Sequence, residues 1–118
     1  MFHKLLRAKI HRATVTDAQL EYVGSLTIDK DVMAAAGMLP NECIQVADVT
    51  NGTRHWTYAI EGPAGSGVMC VNGAAAHLVK VGDRIIIMAF GYFTPEEAAE
   101  FTPRVVLVDD NNHVLKHL

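Results

Sequence analysis

The stretch Val46-Ala47-Asp48-Val49-Thr50-Asn51-Gly52-Thr53-Arg54-His55-Trp56-Thr57-Tyr58 sets an Asn-Gly pair between two runs of β-favouring residues. Both residues tolerate positive φ, so the pattern predicts a two-residue hairpin at Asn51-Gly52 and a fold built on strands. Outward from it, strand patterns run over Leu6 to Thr16, Glu42 to Val49, Thr53 to Ile60, Val68 to Val71, Arg84 to Phe90 and Arg104 to Val108. Two short helices interrupt them. One takes Asp29 as N-cap, runs through Val32-Met33-Ala34-Ala35-Ala36 and stops at Gly37 ahead of Pro40. The other takes Thr94 as N-cap and Pro95 as its first residue, with Glu97 closing a capping box. Gly62-Pro63-Ala64-Gly65-Ser66-Gly67 is a loop too short to link domains. The expectation is a mainly β fold, a small mixed β-barrel with two short helices, its edges managed by closure or oligomerisation.

Composition narrows the function classes. A chain of 118 residues, 50% hydrophobic and 19% charged, suits one domain spanning residues 1 to 118. The net charge of -3 and the lack of a Lys/Arg cluster argue against a surface that neutralises phosphates, so no nucleic-acid partner is expected. The opening Met1-Phe2-His3-Lys4-Leu5-Leu6-Arg7 runs into Lys9 and Arg12 without an apolar signal core, and no apolar run could span a bilayer. A cytoplasmic protein with no membrane partner is the expectation. Cys43 and Cys70 lack Cys-x-x-Cys spacing and read as reduced, buried thiols. His3, His11, His55, His77, His113 and His117 read as solvated or hydrogen-bonded, with no metal site expected.

Gly24-Ser25 is out of place. It falls inside the strand-like run Glu21-Tyr22-Val23-Gly24-Ser25-Leu26-Thr27-Ile28, where glycine packs nothing and marks a bulge, a bend or a backbone that must be reachable. A serine directly after a reachable glycine carbonyl can turn its Oγ onto that carbonyl and convert a strained amide to an ester. The plain alternative is a β-bulge with an exposed serine.

Other polar residues fall into three places. Lys9 and His11 are two apart on the first strand and project from one face. Arg54, Thr57 and Tyr58 follow the Asn-Gly turn, where arginine offers a planar fork for a carboxylate and tyrosine a proton donor. Val71-Asn72-Gly73-Ala74-Ala75-Ala76-His77 leaves a strand into small residues, exposing backbone N–H groups where an anion could bind. Each of these has an ordinary structural reading too.

Taken in order, Lys9-Ile10-His11-Arg12-Ala13, Tyr22-Val23-Gly24-Ser25, Asn51-Gly52-Thr53-Arg54, Thr57-Tyr58 and Val71-Asn72-Gly73-Ala74-Ala75-Ala76 make the chain resemble the pyruvoyl-dependent aspartate 1-decarboxylases from Lys9 to about Phe90. The resemblance implies a double-psi β-barrel, a homotetramer, and self-cleavage between Gly24 and Ser25 into a β chain of residues 1 to 24 and an α chain of residues 25 to 118. It implies that Ser25 becomes a covalent pyruvoyl group, with neither metal nor pyridoxal phosphate. L-Aspartate would join this group as a Schiff base and leave as β-alanine, a pantothenate precursor. The same resemblance implies roles by position: Thr57 for processing and substrate contact, Tyr58 as proton donor, and Arg54 with Lys9 for substrate carboxylate. Asn72, Gly73, Ala74 and Ala75 would shape the pocket, with His11 and Tyr22 as second-line candidates. Ala47 stands where some members carry a bulky aromatic, and the match loosens beyond Phe90. The rival reading is a barrel that keeps the scaffold without the chemistry, as an unprocessed interaction module.

Overall fold

The computed structural model describes residues 1–118. In chain order these form β1 (His3–Thr14), β2 (Asp17–Gln19), β3 (Leu26–Asp29), α1 (Lys30–Ala36), β4 (Cys43–Asp48), β5 (Arg54–Gly62) and β6 (Met69–Asn72). A 3-10 turn (Gly73–His77) follows, then β7 (Arg84–Phe93), α2 (Pro95–Glu100), β8 (Arg104–Val108) and β9 (Val114–His117). The strands hydrogen-bond in the order β2-β6-β3-β5-β4-β7-β1-β8-β9. The sheet is mixed: β1 is antiparallel to β7 and parallel to β8, while β3 is parallel to β5 and antiparallel to β6.

Alternation puts the core on one side of the sheet. Ile10 of β1, Ile28 of β3, Ile44 and Val46 of β4, Val71 of β6 and Ile85 and Ile87 of β7 are fully buried, and Val32, Met33 and Ala36 of α1 cap them. Closure comes just past β1, at Thr16. Thr16 N–H donates to the Met69 carbonyl (2.9 Å), and Met69 N–H donates back to Thr16 Oγ1 (2.9 Å), which ties the two halves into a small barrel. Buried Asn112 reinforces the seam: its Oδ1 accepts from Thr14 N–H (2.7 Å), and its Nδ2 donates to the carbonyls of Thr14 and Gly67 (both 2.8 Å).

Both helix caps stand where the sequence places them. Asp29 Oδ1 accepts from Asp31 N–H (2.8 Å), and Gly37 ends α1 at φ 71°. Thr94 and Glu97 form the reciprocal capping box of α2. Asp29 also binds the loop before β6, accepting from Gly65 N–H (3.1 Å) and Gly67 N–H (2.8 Å).

The hairpin differs from the expectation. Ala47 pairs with Arg54, and Asp48 N–H donates to the Thr53 carbonyl (2.9 Å), leaving a four-residue loop from Val49 to Gly52. Asp48 Oδ1 accepts from Thr50 N–H (2.7 Å) and Asn51 N–H (3.2 Å), an Asx turn that starts the reversal early, and Val49 N–H is drawn to Arg84 of β7 (2.8 Å). The register slips by an even number of residues, so every side chain keeps its expected face. Strand β1 is broken by a bulge between Ile10 and Ala13, where Arg12 has φ 62°. Strand β9 was invisible to alternation because all four of its residues are exposed. Cys70 is buried as expected, but Cys43 is exposed on β4.

Candidate active site

The chain turns sharply between β2 and β3. Gly24 N–H reaches back to the Tyr22 carbonyl (3.0 Å), Gly24 has φ 47° and Ser25 has φ 90°. A serine there lies outside the backbone region that L-residues favour, at a cost of about 1–3 kcal/mol that surrounding contacts must over-determine. Those contacts are present. The Ser25 carbonyl accepts from Asn72 N–H (3.0 Å), and Ser25 Oγ accepts from Asn72 Nδ2 (3.0 Å). Gly73 allows the approach, because a Cβ there would stand 2.7 Å from Gly24 N and 2.9 Å from Gly24 Cα. Ser25 is only 2% exposed, which corrects the reading of a bulge with a solvated serine.

Asn72 is itself fully engaged. Besides Ser25 Oγ, its Nδ2 donates to Thr27 Oγ1 (2.9 Å), and its Oδ1 accepts from the Cys70 thiol (3.2 Å). Neither Cys70 nor Thr27 was singled out from sequence. Strand period was the available signal, since Cys70 precedes Asn72 by two positions and Thr27 follows Ser25 by two. Burial, and then the Asp17 carboxylate, push the Cys70 thiol above its ordinary value, so it stays protonated and able to donate.

Strand β5 supplies the other wall. The last parallel pair is Leu26 with Ala59, so the Gly24-Ser25 peptide lies beside Thr57 and Tyr58. Tyr58 Oη donates to the Val23 carbonyl (3.2 Å), and a Cβ on Gly24 would meet Tyr58 Oη at 3.7 Å. Thr57 is half-buried and, by alternation, faces opposite to Tyr58. After Asn72 the chain winds into its 3-10 turn, with Ala74 exposed and Ala75 packed on the core. Tyr22 is exposed at the mouth of the turn.

Lys9, His11 and Arg54 stand apart from this cluster. Register makes one row across the outer sheet face: Trp56 of β5, Gln45 of β4, Met88 of β7 and Lys9 of β1. Three strand spacings separate its ends, roughly 14 Å along the sheet. His11 lies on the same face beside the β1 bulge, and its buried Nδ1 has no partner. Burial, then the charges of Lys9 and Arg12, hold its pKa below the ordinary histidine value. Arg54 is exposed and enters no ion pair. The two surface cavities, about 300 and 310 Å³, lie around α1, lined by residues such as Arg7, Phe101 and Arg104 or Met33, Leu39 and Glu61, away from Ser25. Nowhere do three or more His, Cys, Asp or Glu side chains converge, and no helix is long and apolar enough to cross a membrane.

The sequence profile of the family described as Aspartate decarboxylase matches residues 1–115. The chain belongs to the aspartate decarboxylase family. Aspartate 1-decarboxylase of Caldicellulosiruptor saccharolyticus is 55% identical over 116 residues, covering 98% of this chain and 91% of that protein. The enzyme of the same name from Moorella thermoacetica is 57% identical over 114 residues, 97% of this chain and 89% of the relative. That of Lactiplantibacillus plantarum is 55% identical over all 118 residues and 91% of its own length. Family membership thus spans both the Gly24-Ser25 turn and the outer face that carries Lys9 and Arg54.

Proposed function

We propose that this member of the aspartate decarboxylase family cuts itself between Gly24 and Ser25 into chains of residues 1–24 and 25–118, then converts L-aspartate to β-alanine and CO2. The observation that carries the reading is Ser25 at φ 90°, buried, with its Oγ held by Asn72 Nδ2. Ser25 Oγ attacks the Gly24 carbonyl carbon, its proton passes to the departing Ser25 nitrogen, and the amide becomes an ester. Thr57, beside that peptide, supplies a hydroxyl donor for the oxyanion of the addition step. The Ser25 Cα proton then leaves to solvent, the Cβ–Oγ bond breaks, and Gly24 departs as a carboxylate. Water hydrolyses the dehydroalanine left at position 25, releasing ammonia and leaving a pyruvoyl ketone.

The residues present suit such a group: Asn72 offers a donor at position 25, and Gly73 keeps the space beside Gly24 free of a side chain. A pyruvoyl ketone supplies covalent capture of an amine and an electron sink for decarboxylation, in place of pyridoxal phosphate or a metal. The chain's own residues do the rest. Arg54 and Lys9 hold substrate carboxylates, Tyr58 delivers a proton to the carbon that loses CO2, and Asn72, Gly73, Ala74 and Ala75 form the wall of the pocket. His11 and Tyr22 line its approaches.

The distance between Lys9 and the junction within one protomer supports a homo-oligomer, a homotetramer on the family pattern, in which the outer sheet faces of two copies meet and complete the carboxylate-binding set. The protein works in the cytoplasm on this reading. Membership of a decarboxylase family does not favour the uncleaved interaction module. Denaturing mass spectrometry is the test: a fragment ending at Gly24, with a larger one blocked to amine reagents, is expected. A single full-length species after prolonged incubation would sink the proposal.

A further inference from the structure

The side-chain amide of Asn72 could face either way in its strand, and only one orientation gives Ser25 a donor. With Nδ2 toward Ser25 and Thr27, its two hydrogens meet two hydroxyl oxygens at 3.0 and 2.9 Å. The Oδ1 atom then points at Cys70, whose thiol is its side-chain partner at 3.2 Å. Turned over, the amide would set its two N–H groups against sulfur, a weak acceptor, and offer Ser25 only an oxygen. The thiol is therefore what decides the orientation.

We propose that Cys70 is a positioning residue for maturation: by donating to Asn72 Oδ1, it keeps Asn72 Nδ2 aimed at Ser25 Oγ. The inference rests on the self-cleavage reading above. Donation to Ser25 Oγ does two things. Before attack it holds the serine in a single rotamer against the strained peptide. During elimination, Oγ leaves as part of the Gly24 carboxylate, and a donor already on that atom stabilises the charge as it develops. Cys70 touches no reacting atom; its effect passes wholly through Asn72. The thiol is suited to this place because it is buried, protonated, and opposite Asp17 in the β2–β6 register.

The test compares Cys70→Ala with Cys70→Ser, two side chains of nearly equal volume that differ in the hydroxyl donor. Precursor made in a short pulse of cell-free synthesis is chased, and the 1–24 and 25–118 fragments are followed by denaturing mass spectrometry. Cys70→Ala should cleave about tenfold more slowly than wild type, because the Asn72 amide is no longer held with Nδ2 toward Ser25. Cys70→Ser should restore the rate to within about threefold, since its hydroxyl reaches the same carbonyl after a small shift. Thermal unfolding of both intact precursors, made on a Ser25→Ala background, should give closely similar midpoints. Equal cleavage rates in Cys70→Ala and wild type would overturn the role, as would a slowing shared equally by the serine variant. A wild-type chain that never cleaves would remove the self-cleavage reading itself, and this inference with it.

Discussion

Two asparagines are buried in this molecule, at positions 72 and 112, and both have every side-chain hydrogen-bonding group engaged with protein. Asn112 binds only backbone: Thr14 N–H, the Thr14 carbonyl and the Gly67 carbonyl. The Asn72 side chain binds only side chains: the hydroxyls of Ser25 and Thr27 and the thiol of Cys70. The backbone partners of Asn112 belong to the seam that closes the barrel. The partners of Asn72 include the hydroxyl of Ser25, the group on which the proposed cleavage turns. The same residue type, equally buried, thus serves the fold in one place and faces the candidate site in the other.

Ser25→Ala breaks the comparison most completely. It should leave one uncut polypeptide by mass spectrometry and no measurable β-alanine production, while the seam at Asn112 stays intact. Asn72→Ala comes next: cleavage should slow on the order of 100-fold, the usual cost of losing a donor to an oxygen that gains charge. A rate within twofold of wild type would show that Asn72 merely packs. Arg54→Ala, which lies off the junction, should cleave normally yet lose at least ~100-fold in kcat/KM, about 2.7 kcal/mol. Normal kinetics in that variant would take Arg54 out of substrate binding.

Asn112→Ala is the converse of Asn72→Ala. It strands Thr14 N–H and the Gly67 carbonyl in the interior, so thermal unfolding should report a loss of about 3 kcal/mol with cleavage unchanged. The smallest effect is expected at a second pair of like residues. Burial pushes the Asp29 carboxyl up, but N–H groups of Gly67, Asp31 and Gly65 outweigh it, and its pKa lies below the ordinary value. Asp48 goes the other way. Burial, then the facing Asp83 carboxyl, raise it, and its Oδ2 has no other partner. A raised folded-state pKa contributes stability that is complete below the unfolded value, near ~3.9, and is lost as pH rises through the folded one. Asp48→Asn cannot ionise, so it should match wild type near pH ~4 and pull ahead as pH rises, by under about 1 kcal/mol at neutral pH. A constant difference across that range would show that Asp48 does not carry the proton.

Much of this was legible from residues alone because it depends on local chemistry. Asp29 and Thr94 cap helices through bonds to neighbours two and three positions away, so the pattern contains its own partner. The β-favouring runs Glu42 to Val49 and Arg84 to Phe90 likewise mark β4 and β7, because strand preference rests on residue type. The hairpin departs from its Asn51-Gly52 pattern because that pair competes with an Asp48 Asx turn and with the pull of β7 on Val49, and the second of these is a long-range contact. Strand β9 pairs only with β8 at an edge and buries nothing, so no periodicity betrayed it.

By itself the sequence determined that a glycine and a serine stand together where a strand pattern should continue, in a mainly β chain with short capped helices, because those features rest on residue type and spacing. Only the tertiary structure decided that the Ser25 backbone is held at positive φ, and that its hydroxyl faces Asn72 rather than water. It alone set three strands, β5, β4 and β7, between Lys9 on β1 and the junction at the start of β3. The physical reason is that strain, burial and amide orientation are imposed by groups distant along the chain. Asn72 and Cys70 act on Ser25 from a different strand, and nothing within a few residues of Ser25 encodes that they will be there.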